Sequence, residues 1–488
     1  MNDLLRLAPA ELWKNFHSLT GIPRPSGHED EVRSFIADFG RGLGLETVVD
    51  ETGNVVIRKP ATPGMENRKG IILQAHLDMV PQQNSGSDHD FEHDPIETII
   101  DEGWVRANGT TLGADNGIGV AAAMAVLESR TLVHGALEAL FTREEETGMT
   151  GALGLKTDLL RGDILMNLDS EDEGELFIGC AGGVNGTMTL SHETHTVPAG
   201  TLGIRIRVTG LKGGHSGMDI GLGRGNANKI MNRILHEGHT RHGLLLASID
   251  GGSLRNAIPR ESFAHAVVPE AMMDGFIEGF TVLTATIKNE LSSVEPDLDI
   301  KAIPADLPES VIETAIFSKL LKAVHACPNG VMRLSSEMEG LVETSNNLAI
   351  VKSGKGCIVV ECLLRSSVNS ALKDLEVMIG SLFDLAGAVT KFHGGYPGWK
   401  PNRASPILKT MKVIYTARFG TPPLIRAVHA GLECGIIGGI YPALDMISFG
   451  PTIRHPHSPD EKVEIASVRK FWNFLVETLA AIPLRVTA

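Results

Sequence analysis

Apolar positions in the first part of the chain fall into two periods. Leu12, Phe16 and Leu19 are spaced as one face of a helix over Ala10–Leu19, and Val32, Phe35, Ile36, Phe39 and Leu43 as one face of another over Glu29–Leu43. Thr47–Ile57, broken by Gly53-Asn54, reads as a hairpin. Gly70–Ala75, Leu137–Phe141 and Asp163–Leu168 are short continuous apolar runs, the pattern of strands buried on both faces. Glu97–Ala107 reads as a further strand. Val120–Leu127 is almost wholly small or apolar, which predicts a helix buried on most sides.

Strands alternating with helices predict an α/β fold with a mostly parallel sheet and helices on both faces. The pattern changes after about Gly183. Thr201–Val208 alternates, Ala227–Leu235 is helical, and Leu244–Ser248, Phe263–Val268 and Thr281–Ile287 are mixed elements. The earlier pattern resumes with an apolar strand at Met446–Phe449 and a closing amphipathic helix at Ile465–Ile482. The expected organisation is a split domain, residues 1–182 and 397–488, interrupted by an α+β domain over 183–396. A length of 488 residues fits two domains.

Chemistry gathers where the apolar runs stop, and in α/β sheets the C-terminal ends of strands are where sites are built. The first run leads into His76-Leu77-Asp78. If the strand continues, His76 and Asp78 share a face, and Asp78 is placed to hold the far nitrogen of the His76 ring. The second run ends in Glu144-Glu145-Glu146; three adjacent acids at a buried strand end are costly without a compensating cation. The third ends at Asp169. Asp115 lies just before the buried helix, in Gly113-Ala114-Asp115-Asn116-Gly117, where it reads either as a helix cap or as a ligand aimed into a site. The late strand is followed by His457 in His457-Ser458-Pro459-Asp460-Glu461.

His76, Asp115, Glu146, Asp169 and His457 are carboxylates and imidazoles without thiolates, a donor set suited to zinc, manganese or cobalt. Five donors are too many for one tetrahedral ion with an open position, and right for two ions if one carboxylate bridges them. Glu145 is then left over as a base for a water's proton.

A net charge of −15 argues against a nucleic-acid partner. No apolar run reaches membrane-spanning length, and the start of the chain lacks a signal-peptide core. Five cysteines, odd in number and without a CxxC pair, fit a reducing compartment and a cytoplasmic protein.

The segments Leu73–Val80, Gly113–Gly117, Glu144–Gly148, Asn167–Asp169 and His457–Glu461 together resemble the di-zinc aminoacylase/carboxypeptidase group of metallopeptidases, most closely its bacterial peptidase D branch. The resemblance covers nearly the whole chain. It implies a metal-dependent dipeptidase acting on unblocked dipeptides of broad specificity, Xaa-His dipeptides included, through a hydroxide held between two zinc ions; cobalt or manganese substitutes for zinc. His76, Asp115 and Asp169 match the ligands of one ion, and Asp115, Glu146 and His457 those of the other. Asp78 matches the residue that orients the first histidine, and Glu145 the general base. The bond Asp115–Asn116 matches a cis peptide. The inserted domain resembles a lid, through which relatives form homodimers. His215, in Gly214-His215-Ser216-Gly217, matches a lid histidine at the scissile carbonyl; Asn256 and Arg365 match substrate contacts, the arginine suited to a peptide carboxylate. The alternatives are an N-acyl amino acid deacylase of the same group and a non-catalytic metal-binding homologue.

Other signals are weaker. Ser87–Asp94 is rich in ligand types, yet nothing fixes it as more than a polar loop. His192-Glu193-Thr194-His195 falls short of a zinc helix motif, and Gly221–Gly225 lacks the strand and lysine of a phosphate loop. Cys362 reads as a core cysteine.

Overall fold

The computed structural model describes residues 3–485. The apolar run that predicted the first buried strand forms Ile71–His76, and all six of its residues are buried. It sits in an eight-stranded sheet ordered Glu46–Val49, Val55–Lys59, Leu137–Thr142, Ile71–His76, Ile164–Asn167, Asp445–Ser448, Glu175–Cys180, Leu424–Val428. The four central strands, Leu137–Thr142 to Asp445–Ser448, run parallel. They are the ones whose sequences are continuous apolar runs, as expected for strands covered on both faces. The flanking pairs are antiparallel, Val55–Lys59 with Leu137–Thr142 on one side and Asp445–Ser448 with Glu175–Cys180 on the other, so the sheet is mixed around a parallel centre.

Register places the chemistry. His76 lies opposite Thr142, Gln74 opposite Asn167, and Asn167 opposite Ser448. The parallel strands therefore end at one edge, and the residues just after them (Asp78, Glu145 and Glu146, Asp169) leave the sheet at the same level.

The expected strand Glu97–Ala107 is instead a hairpin, Thr98–Asp101 with Trp104–Ala107. Its turn is Glu102-Gly103, both at positive φ. This hairpin belongs to a small antiparallel sheet with Lys462–Glu464 and Ile453–Arg454. His457 sits in the loop between those last two strands, and Trp104–Ala107 leads into the Asp115 loop. Pairing in this small sheet brings together residues more than three hundred positions apart. The helix Ala114–Glu128 is buried from Ala114 through Leu127; Asp115 and Asn116 at its start are not helical in φ and ψ.

The chain divides into two compact units. The first takes the described residues up to Gly179, Pro401–Ala427 and those from Leu432 onward; the second takes Cys180–Lys400 and Val428–Gly431. The second unit is built on a nine-stranded antiparallel sheet, with Val342–Gly354 and Cys357–Ser366 at its centre. Its core is aliphatic, with Phe276, Phe317 and Phe383 buried in it. Cys362 lies in that core, fully buried, and none of the five cysteines forms a disulfide. Thr281–Ile287 is the interior of a long helix, Met273–Leu291, rather than a separate element. Thr194–Thr196 is an exposed strand, so the pair His192 and His195 shares no helix face.

Candidate metal centre

Four side chains meet around Asp115. His76 Nε2 lies 3.1 Å from Asp115 Oδ1 and 3.2 Å from Asp169 Oδ1. His457 Nε2 lies 3.3 Å from Asp115 Oδ2 and 3.0 Å from Glu146 Oε2. Each oxygen of the Asp115 carboxylate thus faces a different histidine, and each histidine faces a second acid of its own. His76, Asp115 and Glu146 each offer one ligand atom within 4.8 Å of one another. The peptide bond Asp115–Asn116 is cis. The capping alternative for Asp115 does not describe this arrangement, since Gly113 takes the N-cap position and the Asp115 oxygens face the two histidines.

Positioning comes from side chains around these. Asp78 is fully buried. The strand stops at His76, so strand alternation does not aim Asp78; the following loop does. His76 Nδ1 is 3.1 Å from the Asp78 carbonyl and 3.3 Å from its Oδ1. The same carboxylate accepts from Ser26 Oγ at 2.8 Å, the Glu145 amide at 3.0 Å and the Glu146 amide at 3.2 Å. One acid therefore fixes both the histidine and the turn that bears the two glutamates. Asn116 Nδ2 donates to the Leu168 carbonyl at 3.0 Å and to Asp169 Oδ1. A Cβ at Gly119 would lie 2.1 Å from Asn116 Oδ1 and 2.7 Å from the Leu168 carbonyl oxygen, so the glycine makes room for this bridge.

The electrostatics ask for positive charge. Hydrogen bonds to Asp115 and Glu146 outweigh burial and push His457 up to about 11. Burial pulls the His76 ring down, but Asp169, Asp115 and Asp78 together hold it well above its ordinary value. Burial, then Asp115 and Asp169, push Glu171 up to about 8. Burial holds Glu145 well above the usual carboxylate range, helped by Asp169, Glu433 and Glu146 against His76. Glu146 Oε1 is buried with no hydrogen-bond partner among the described residues. Glutamates forced toward their protonated forms, histidines forced toward theirs, and an orphaned ligand oxygen are what a donor set built for cations shows without them. The residues fit divalent ions.

The second unit holds the other predicted residues. His215 Nδ1 accepts the amides of Gly217 at 3.2 Å and Met218 at 3.1 Å. A nitrogen that accepts two N–H bonds carries no proton, so the proton of the neutral ring sits on Nε2. Burial and the Arg365 cation lower the His215 pKa, which keeps the ring neutral. Arg365 is 4% exposed. It donates to Ser216 Oγ at 3.3 Å and Tyr396 Oη at 3.1 Å, and among the described residues no carboxylate pairs with it. His429 Nε2 lies 2.7 Å from Ser345 Oγ. Burial, then Arg365, push His429 down to about 3. Asn256 is exposed, and its carbonyl accepts the Ser216 amide at 2.8 Å. Ser87–Asp94 forms no strand or helix, and among the described residues it contains no group of three ligands.

Sequence reasoning missed Ser26, Asn116, Tyr396 and His429. Asn116 carried a signal, being next to Asp115 in a glycine-rich turn; the others carried none.

Fold and site define an α/β protein whose parallel strands end at a candidate metal centre of imidazoles and carboxylates. The model of peptidase family M20/M25/M40 matches residues 72–481. The cytosol non-specific dipeptidase of Escherichia coli (strain K12) is 45% identical over 486 residues, spanning 99% of this chain and 100% of that protein. The crystal structure of the aminoacylhistidine dipeptidase from Vibrio alginolyticus matches with a TM-score of 0.94 at 47% identity, covering 100% of both chains. A tripeptidase from Staphylococcus aureus, 16% identical, shares the fold with a TM-score of 0.56 over 98% of this chain and 99% of that one. The chain belongs to peptidase family M20/M25/M40.

Proposed function

We propose that this protein is a metal-dependent dipeptidase that cleaves unblocked dipeptides of broad specificity, Xaa-His dipeptides among them. The names of the Escherichia coli and Vibrio relatives support the substrate class. The observation that carries the chemistry is Asp115, with one oxygen toward His76 and the other toward His457. His76, Asp115 and Asp169 would hold one divalent ion, and Asp115, Glu146 and His457 the other; zinc suits the donors, with cobalt or manganese as substitutes. Bound there, the ions would bring a water's pKa toward neutrality and polarise the scissile carbonyl.

The chain's own residues do the rest. Glu145 takes the proton of the attacking water and later delivers it to the leaving amine. Burial that favours its protonated form makes it a stronger proton acceptor than a solvated glutamate. Asp78 holds His76 and, through two amides, the turn that presents Glu145 and Glu146. His215 offers its Nε2–H to the carbonyl oxygen as negative charge develops there. Arg365, a buried cation that pairs with no acid among the described residues, takes the peptide's carboxylate, with Asn256 as a further contact. The resemblance also carries a cytoplasmic homodimer, joined through a lid over 183–396, with 1–182 and 397–488 as the catalytic domain.

The test is amino acid release from free dipeptides by protein as purified, after chelation, and after adding zinc, cobalt or manganese. Activity should vanish on chelation and return with metal. Glu145→Gln should keep its metal and lose about 10²–10⁴ in kcat. Turnover by protein shown to be metal-free would remove the metal from the reading. Cleavage of N-acyl amino acids, with free dipeptides untouched, would replace it by a deacylase.

A further inference from the structure

Two buried charged residues stand behind the metal centre and take no part in the chemistry proposed above. Arg24 is 3% exposed and lies in the loop after the first long helix. Its Nη1 donates to the carbonyls of Leu77 at 2.9 Å and Asp78 at 3.2 Å, and its Nη2 to the carbonyl of Gly113. Glu461 is 2% exposed, four residues after His457. Its Oε2 accepts the amides of Leu112 at 2.8 Å and Gly113 at 2.9 Å, and its Oε1 accepts the amide of Asp115 at 3.1 Å.

These six bonds connect three loops beside ligands: the one after His76, the one before Asp115 and the one that holds His457. Arg24 donates its three bonds from a cation, which strengthens them, and Glu461, pushed up to about 7 by burial and Asp115, is drawn back toward the carboxylate by the three amides it accepts. The backbone groups concerned are away from water, so losing either side chain leaves them unsatisfied. Gly113 sits between the two charges at φ 69°. A Cβ there would lie 2.5 Å from Arg24 Nη2 and 2.8 Å from the Met79 sulfur. The glycine gives the left-handed turn and the space that Arg24 occupies.

We propose that Arg24 and Glu461 are positioning residues, a clamp that fixes the backbone of Leu112–Asp115 and ties the His457 loop to it, so that the Asp115 carboxylate is aimed before any cation arrives. The inference rests on the metal-centre reading. The arginine holds the carbonyl side of the loop and the glutamate its amide side, so the two act on one peptide segment from opposite polarities.

The experiment measures cation affinity directly. Chelated parent protein and the isosteric variant Glu461→Gln are titrated with zinc in competition with a chromophoric chelator, and with cobalt while the visible spectrum is recorded. Glu461→Gln should bind about 10–100-fold more weakly, the usual effect of losing a partner behind a ligand. Its cobalt spectrum at saturation should shift, and KM should stay within about two-fold of the parent value, since neither residue meets substrate. Arg24→Lys, which cannot span the three carbonyls, should behave alike. Equal affinities and spectra in parent and variants would overturn the clamp, as would a lower melting temperature without a change in affinity. A parent protein that binds no cation would fail the metal reading instead. Hydrogen exchange on the chelated parent needs no variant: the amides of Leu112, Gly113 and Asp115 should be protected, and fast exchange there would overturn the proposal.

Discussion

Asp78→Asn changes one atom at the most heavily bonded acid of the site. Asp78 Oδ1 accepts the Glu145 amide, and Oδ2 accepts the Glu146 amide and the Ser26 hydroxyl. The two amides use different oxygens, so asparagine must turn its NH₂ toward one of them in either flip. One buried amide then loses its acceptor and faces a donor, at a cost of about 1–3 kcal/mol. The same change weakens the grip on His76 Nδ1, and losing such a partner typically costs 10–100-fold in metal affinity or activity. In transition-state terms that is about 1.4–2.7 kcal/mol. The turn carrying Glu145 and Glu146 is released as well, so the activity loss should fall at the upper end, mainly in kcat. Melting of the chelated protein reads the first quantity; zinc competition and steady-state kinetics on a free dipeptide read the second. A variant with the parent's melting temperature would refute the amide argument. One with the parent's zinc affinity and kcat would refute the positioning role.

Two further outcomes follow from the second unit. His215→Ala removes a donor whose proton is fixed on Nε2, and kcat should fall about 10²–10³-fold with metal content unchanged; parent-like turnover would remove His215 from the mechanism. His429 is held near 3 in the folded protein against about 6.5 when unfolded. The unfolded state therefore takes up the proton first, and stability is lost as pH falls below about 6.5, by about 2 kcal/mol at pH 5. Above that window the residue contributes no pH dependence. Urea unfolding at pH 7 and pH 5 should show a smaller acid loss in His429→Gln than in the parent, and equal losses would refute the assignment.

The parallel centre of the sheet was legible because continuous apolar runs and the acids or histidine that end them are local signals. Ile71–His76 and Leu137–Thr142 fall within a residue of their expected limits for that reason. Glu97–Ala107 was read as one strand because its turn uses only Glu102-Gly103, a single glycine in an otherwise strand-like run. Thr281–Ile287 looked mixed because β-branched residues crowd a helix whose stability comes from packing, not propensity. The five candidate ligands could be picked out at element ends, whereas Arg24, Ser26, Glu461 and His429 could not. Their partners lie dozens to hundreds of residues away, and nothing in a neighbouring sequence distinguishes a buried arginine that holds carbonyls from one on a solvated face.

Gly119 bears on how relatives of this chain should be read. The space where its side chain would be is filled by the Asn116 amide and the Leu168 carbonyl, and that amide steers Asp169. A homologue that keeps every acid and histidine but carries alanine at this position would be expected to have lost the aim of one ligand. Sorting active from inactive members of a lineage by their metal-binding residues alone would then misclassify it, and the informative column of the alignment would be one with no side chain at all.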